Sequence, residues 1–116
     1  AEKDSYLKAT SEDTIRSKAW TGKPARMLKN KWTEAWENPD NPDPLPMPLQ
    51  GMITFDAMRR TSIYAGKGNT QDVSFNAAGQ VIGQVNQIES VKDVMYRLIN
   101  DYLDSVERLN SLLPKE

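Results

Sequence analysis

The sequence predicts an α+β chain that is mostly helical, on three observations. Residues 14–20, "TIRSKAW", alternate Ile15, Ser17 and Ala19 against Thr14, Arg16, Lys18 and Trp20, the period of a short strand. From Ser90 onward, Val91, Val94, Met95, Leu98, Tyr102, Val106, Leu109 and Leu113 recur every three or four residues, the period of one helix face. Between them, "NPDNPDPLPMP" places five of the seven prolines at positions 39–48. Proline lacks an amide donor and restricts the residue before it, so this stretch is neither helix nor inner strand but an extended linker.

In order along the chain, Ser5 to Ala9 read as the end of a short helix and Thr10 to Asp13 as a turn. The strand follows, and Gly22 breaks it. Pro24 then suits a first helical position, where its missing N–H would have no partner anyway. Ala25, Leu28, Trp32 and Trp36, with Met27 nearby, extend that expected helix as an apolar stripe. After the proline linker, "TFDAMRRTSIYA" restarts helix with Thr54 as its cap, and "GKGNTQDVS" reads as loop. "FNAAGQVIGQVNQI" has small residues and two glycines, which suggests close backbone packing and one short helix opened by Asn76. Ser90 and Asp93 make a capping-box-like pair for the last helix. It would run about 35 Å before Pro114 stops it. Residues 1–75 thus hold a short strand, a helix, the proline-rich linker and a second helix. Residues 76–116 hold a return segment and the long terminal helix.

The 116 residues amount to one domain and carry a formal net charge of −1, from 15 basic and 16 acidic side chains. A domain built to hold polyphosphate is usually strongly basic, so this balance weighs against a nucleic-acid partner. Cysteine and histidine are both absent. No disulfide and no thiolate or imidazole metal site can form, and the commonest proton shuttle at neutral pH is missing. No apolar run approaches 18 residues and no secretory signal heads the chain, so the expectation is a cytoplasmic protein with no membrane partner. The first residue is Ala1, which reads as a processed chain, one cut for expression, or part of something longer.

Few constellations hint at chemistry. Lys18, Lys23, Arg26, Lys29 and Lys31 interleave with Trp20, Trp32 and Trp36. That pattern suits phosphate contact with base stacking, but it suits better a helix with tryptophans inward and lysines in water. "GKG" at 66–68 lacks the spacing of a phosphate loop and reads as a turn. Glu12 and Asp13 read as solvated. In "AAGQVIG", 77–83, the glycines serve either tight helix contact, the reading composition favours, or backbone brought close to a ligand. The residues alone show no complete active site and no catalytic residue.

"TIRSKAWTGKPARMLKNKWTEAW" resembles the C-terminal region of the nitronate monooxygenase family, also called 2-nitropropane dioxygenases. Thr14, Ile15, Thr21, Gly22, Pro24, Ala25, Arg26 and Asn30 match its pattern, with Lys23 in place of the usual arginine. "PLPMPLQ", Pro44 to Gln50, and "AAGQVIGQV", with Ala78, Gly79 and Gln80, resemble two further segments in the family's order. Ala77 replaces the aromatic that precedes "AGQ", Phe75 lies slightly upstream, and the loop from Tyr64 to Phe75 differs. The resemblance implies a C-terminal lid, or subdomain, and terminal helix of an FMN-binding TIM-barrel-type enzyme, with the barrel itself absent from these residues. The barrel would bind FMN, carry the catalytic histidine, and be this chain's partner with a small nitronate or nitroalkane substrate. Gly79 and Gln80 would be the cofactor-binding residues. Arg26 and Asn30, four apart on one helix face, would make structural hydrogen bonds between lid and barrel. An apolar face left bare would favour a homo-oligomer. The alternative is a self-standing helical protein-interaction module, supported by the long apolar stripe of the last helix.

Overall fold

A computed structural model describes residues 2–114. It comprises α1 (Glu2–Lys8), a 3-10 turn (Ser11–Asp13), β1 (Thr14–Ser17), β2 (Ala25–Leu28), α2 (Lys31–Glu37) and α3 (Leu49–Ile63). Two further 3-10 turns (Thr70–Val73 and Gln80–Gln84) and α4 (Val91–Ser111) complete it. The chain divides into two compact units, Ala1–Asn86 and Gln87–Glu116.

The strand expected at 14–20 is present as β1, and it ends at Ser17. The helix expected from Pro24 is not there. Gly22 takes φ +79°, open to a residue without Cβ, and its amide donates to Lys18 O at 2.9 Å. The chain therefore turns back, and Ala25–Leu28 pair with β1 in antiparallel register, Thr14 opposite Leu28 and Arg16 opposite Arg26. On its other side β2 binds residues 76–78. Leu28 N donates to Asn76 O (2.9 Å), Ala78 N donates to Arg26 O (3.3 Å), and Met27 bridges Ala77. Backbone groups used on both edges leave none for a helix. The apparent stripe from Ala25 to Trp36 joined a strand to the helix that follows it.

Helix begins only at Asn30, the cap of α2. Its Oδ1 accepts from Thr33 N (3.0 Å) while its own amide donates to Thr33 Oγ1 (2.9 Å). The second expected helix also starts elsewhere, at Leu49, so Thr54 is an interior residue and not a cap. Asn76 opens no helix, because it is buried as the edge partner of Leu28, and the helical turn waits until Gln80.

The core of the first unit is small. Ala19, Trp20, Met27, Leu28 and Ile82 are buried, and with them Thr14, Ser17, Thr33, Gln50, Thr54 and Asn76. Trp20 stacks on Trp32 with centroids 4.3 Å apart and meets Phe75 edge-on at 6.1 Å. Such ring pairs add about 1 kcal/mol each beyond the area they bury. In the second unit, Ser90 Oγ accepts from Asp93 N (3.2 Å) at the start of α4, as the sequence indicated. The last turn gives way at Leu112, before Pro114.

The turn at Gly22 closes against the proline linker. A Cβ there would lie 2.5 Å from Leu45 O, 2.6 Å from Met47 N and 2.8 Å from the Pro46 carbonyl carbon. At Gly68, φ is +55° but nothing lies within 4 Å. Gly68→Ala is expected to cost about 1 kcal/mol of backbone strain alone. Gly22→Ala carries the strain and the clash and is expected to cost more than about 2 kcal/mol in urea unfolding. Equal losses would show that the linker does not press on this turn.

Candidate functional site

The hairpin leaves β1 with the carbonyls of Ala19 and Trp20 buried. Two residues one turn apart on α3 answer them. Gln50 Nε2 donates to Ala19 O at 2.8 Å, and its Oε1 accepts from Leu45 N at 3.0 Å. The Thr54 hydroxyl lies 2.5 Å from Trp20 O and 3.0 Å from Gln50 O. Trp32 Nε1 also points at Ala19 O, at 3.4 Å. Helix α3 is thus seated through amide and hydroxyl groups, while Met52, Ile53 and Phe55 on the same helix stay exposed. Gln50 appears in the sequence only as the last letter of a linker motif. The signal that would have found it is a polar pair at i and i+4 among the apolar residues Leu49, Met52, Ile53 and Phe55 that open the helix.

The matched motifs come together on this scaffold. The strand of "TGKPAR" and the segment before "AGQ" are hydrogen-bonded neighbours, and the "PLPMPLQ" stretch closes over Gly22. Tyr6 OH donates to Ala77 O (3.2 Å). The edge ends in Gly79 and Gln80, both exposed. Gly79 has φ −80° and ψ 169°, which any residue adopts, and a Cβ there would meet only Val81 Cγ1 at 3.7 Å. Gly83 is different, because a Cβ there would lie 3.1 Å from Ser11 N. Close backbone approach in "AAGQVIG" is therefore used within the chain at Gly83, between two 3-10 turns and not two helices. At Gly79 the chain itself asks for no glycine.

Other sequence candidates land apart. Arg26 and Asn30 do not share a helix face, because Arg26 lies in β2 and Asn30 caps α2. Arg26 Nη1 donates to Thr14 Oγ1 (3.0 Å), and Asn30 Nδ2 donates to Ser74 O (2.7 Å). In the basic and aromatic cluster the tryptophans gather, with Trp32 also 6.2 Å from Trp36, while Lys29 and Lys31 are engaged elsewhere. Trp20 is buried under Trp32, Lys29 Nζ donates to Glu12 O (2.7 Å), and Lys31 pairs with Asp72 (2.6 Å). Phe75 faces Trp20 and so does not stand in for the aromatic absent at Ala77. An open hollow between α3 and residues 71–76 is lined by Met58, Thr61, Ser62, Gln71, Phe75 and Asn76.

Among the described residues two charges are shifted, neither toward neutrality. The Asp13 carboxyl is held below its ordinary value by the Thr10 amide, then the Thr10 hydroxyl, with Lys29 adding. Lys31 is held above its ordinary value by its hydrogen bond to Asp72 and that residue's charge. Among the described residues no group of three or more His, Cys, Asp or Glu side chains is placed to hold a metal ion. No helix among them is long and apolar enough to cross a membrane.

No family model matches the sequence. The chain is 39% identical over 115 residues to "Putative monooxygenase Rv1533" of Mycobacterium tuberculosis, covering 97% of this chain and 31% of that protein. The chain is homologous to part of a monooxygenase-named protein. Its fold is similar to that of FabK from Thermotoga maritima, with a TM-score of 0.71 and 22% identity over 97% of this chain and 34% of that one. The chain therefore spans about a third of the length of both proteins. The kinship read from three motifs, with the C-terminal part of a larger, monooxygenase-named protein, is borne out.

Two measurements test the site's internal order. Gln50→Leu is more apolar yet removes the acceptor of Leu45 N and leaves Ala19 O with only the longer Trp32 contact, so a loss of about 2 kcal/mol is expected, whereas exposed Met52→Gln should stay within about 0.5 kcal/mol. A stabilised Gln50→Leu would refute the hydrogen-bonded seat. For Asp13 the folded state favours the charged form. Its contribution is complete above the unfolded pKa near about 4 and is lost as pH falls through the lower folded value. Asp13→Asn should flatten the acid limb of the stability profile, and an unchanged limb would contradict the assigned cause.

Proposed function

We propose that this chain is the lid-like C-terminal portion of an FMN-dependent oxidoreductase of the nitronate monooxygenase type, covering a barrel supplied by the rest of that protein in the cytoplasm. The observation that carries the reading is the exposed edge at Gly79 and Gln80, which follows directly on residues 76–78 bound to β2 and so joins two of the three motifs that resemble the family. Identity of 39% along nearly the whole chain with a monooxygenase-named protein supports it. Within the chain Gly79 is a glycine without a local cause. Close approach of a ligand or of the barrel supplies one, because a side chain there would project into that space.

Taken alone, these residues do not make a flavin site. Gly79 and Gln80 are exposed, and the nearby hollow is open and lined by hydroxyl, amide and apolar groups. The role left to this chain is to position the "AGQ" edge, shape the pocket and exclude water from it. The barrel would hold FMN and the proton-abstracting histidine, and the substrate would be a small alkyl nitro compound or its nitronate.

The other reading, a helical interaction module, draws on α4, where Val91, Tyr96 and Tyr102 are exposed on a helix with a clear apolar stripe. The coding region upstream of Ala1 separates the two. A barrel-sized extension with a histidine supports the enzyme, and an immediate start codon supports the module.

The purified 116 residues should be colourless and should not turn over a nitronate. In the whole protein, Gly79→Val should lower kcat/KM at least about tenfold, while the same change in this chain shifts its unfolding by no more than about 0.5 kcal/mol. Stoichiometric yellow flavin on the 116 residues, or full activity of the variant, would overturn the proposal.

A further inference from the structure

Helix α3 buries its polar pair, Gln50 and Thr54, and turns a different seam outward. Leu49, Ile53, Asp56, Arg60 and Ile63 follow one another at spacings of four, three, four and three, the repeat of a coiled-coil seam. Leu49 is 49% exposed, Ile53 58% and Ile63 56%. Asp56 and Arg60 are likewise exposed and pair with each other at 2.7 Å. Met52 and Phe55 flank the seam and are exposed as well.

From Ile53 to Ile63 the seam is self-complementary. Positions 53 and 63, and positions 56 and 60, are symmetric about position 58. A closed two-fold interface requires that if residue i meets residue j, then j meets i. Two copies of α3 packed antiparallel about that midpoint satisfy this twice over. Isoleucine meets isoleucine at both ends, and each Asp56 meets an Arg60 in the middle. Parallel packing would set Asp56 on Asp56 and Arg60 on Arg60, a like-charge arrangement that costs rather than stabilises. A face shaped only to meet a different surface has no need of this symmetry.

We propose that the exposed seam of α3 is a self-association surface, on which a second copy of this chain packs its own α3 antiparallel. The occupant is argued from charge and apolar complementarity alone, so the proposal stands independently of the flavoenzyme reading. A helix of 15 residues is about 22 Å long. The pairing therefore falls at the small end of specific interfaces, below about 1,200 Å², and association in the micromolar range is expected.

The test is sedimentation of the 116-residue chain from about 1 μM to about 1 mM, with circular dichroism confirming that each variant keeps its helix. A concentration-dependent dimer is expected, and Ile53→Asp should abolish it. Asp56→Arg and Arg60→Asp should each weaken it at least about tenfold, and the two together should restore it to within about threefold of the original. A chain that is monomeric throughout overturns the proposal. So does a dimer indifferent to the single reversals, or one the double variant fails to rescue. A seam protected only in the presence of a longer chain would assign the surface to that chain and equally overturn the proposal.

Discussion

Two backbone carbonyls organise the first unit. Ala19 and Trp20 lie where the chain leaves β1, buried and out of reach of water. A buried acceptor without a donor costs about 1–3 kcal/mol, so something has to answer them. Gln50 and Thr54 do, with Trp32 contributing, and this brings α2 and α3 to the same point. The stack of Trp20 on Trp32 follows from that meeting. So does the path of the proline linker, whose Leu45 amide is bound by the far end of the Gln50 side chain. The unit is held by directed bonds around a small apolar core, and its specificity is local and geometric.

This explains which parts were legible in the sequence. Features set by near neighbours could be read. The alternation of Thr14 to Ser17 marked a strand, Ser90 with Asp93 marked a helix start, and the prolines marked an extended stretch. Features set by distant partners could not. Ala25 to Leu28 have helix-compatible spacing, but pairing with β1 on one edge and residues 76–78 on the other decides their conformation. Thr54 has the chemistry of a cap, but Trp20 O, 34 positions away, makes it an interior donor. Asn30 stands out in the sequence as a match to the family pattern four residues from Arg26, whereas what it does is cap α2 and bind Ser74 O. Gly79 and Gln80 were singled out by resemblance alone, and the fold leaves them at an exposed edge. The aromatic missing at Ala77 could not be placed from sequence, because the inward turn of Phe75 depends on Trp20.

Helix α3 states the functional implication most directly. Its seat is polar, while Met52, Ile53 and Phe55 face outward. An amphipathic helix in a self-contained domain does the reverse. Outward apolar side chains on a helix anchored by hydrogen bonds belong to a surface that meets something else. A second copy of this chain seated on that seam fits the description: α3 keeps its place through local bonds and still presents a contact surface.

Reassembly tests the central claim most directly. The purified chain would be added to an FMN-loaded barrel portion of the same enzyme, and oxygen uptake with a nitronate followed as the chain is titrated in. The account predicts little uptake from the barrel alone and a saturable rise on addition, reaching a plateau at one chain per barrel. A barrel portion that is fully active without the chain, and indifferent to its addition, would contradict it.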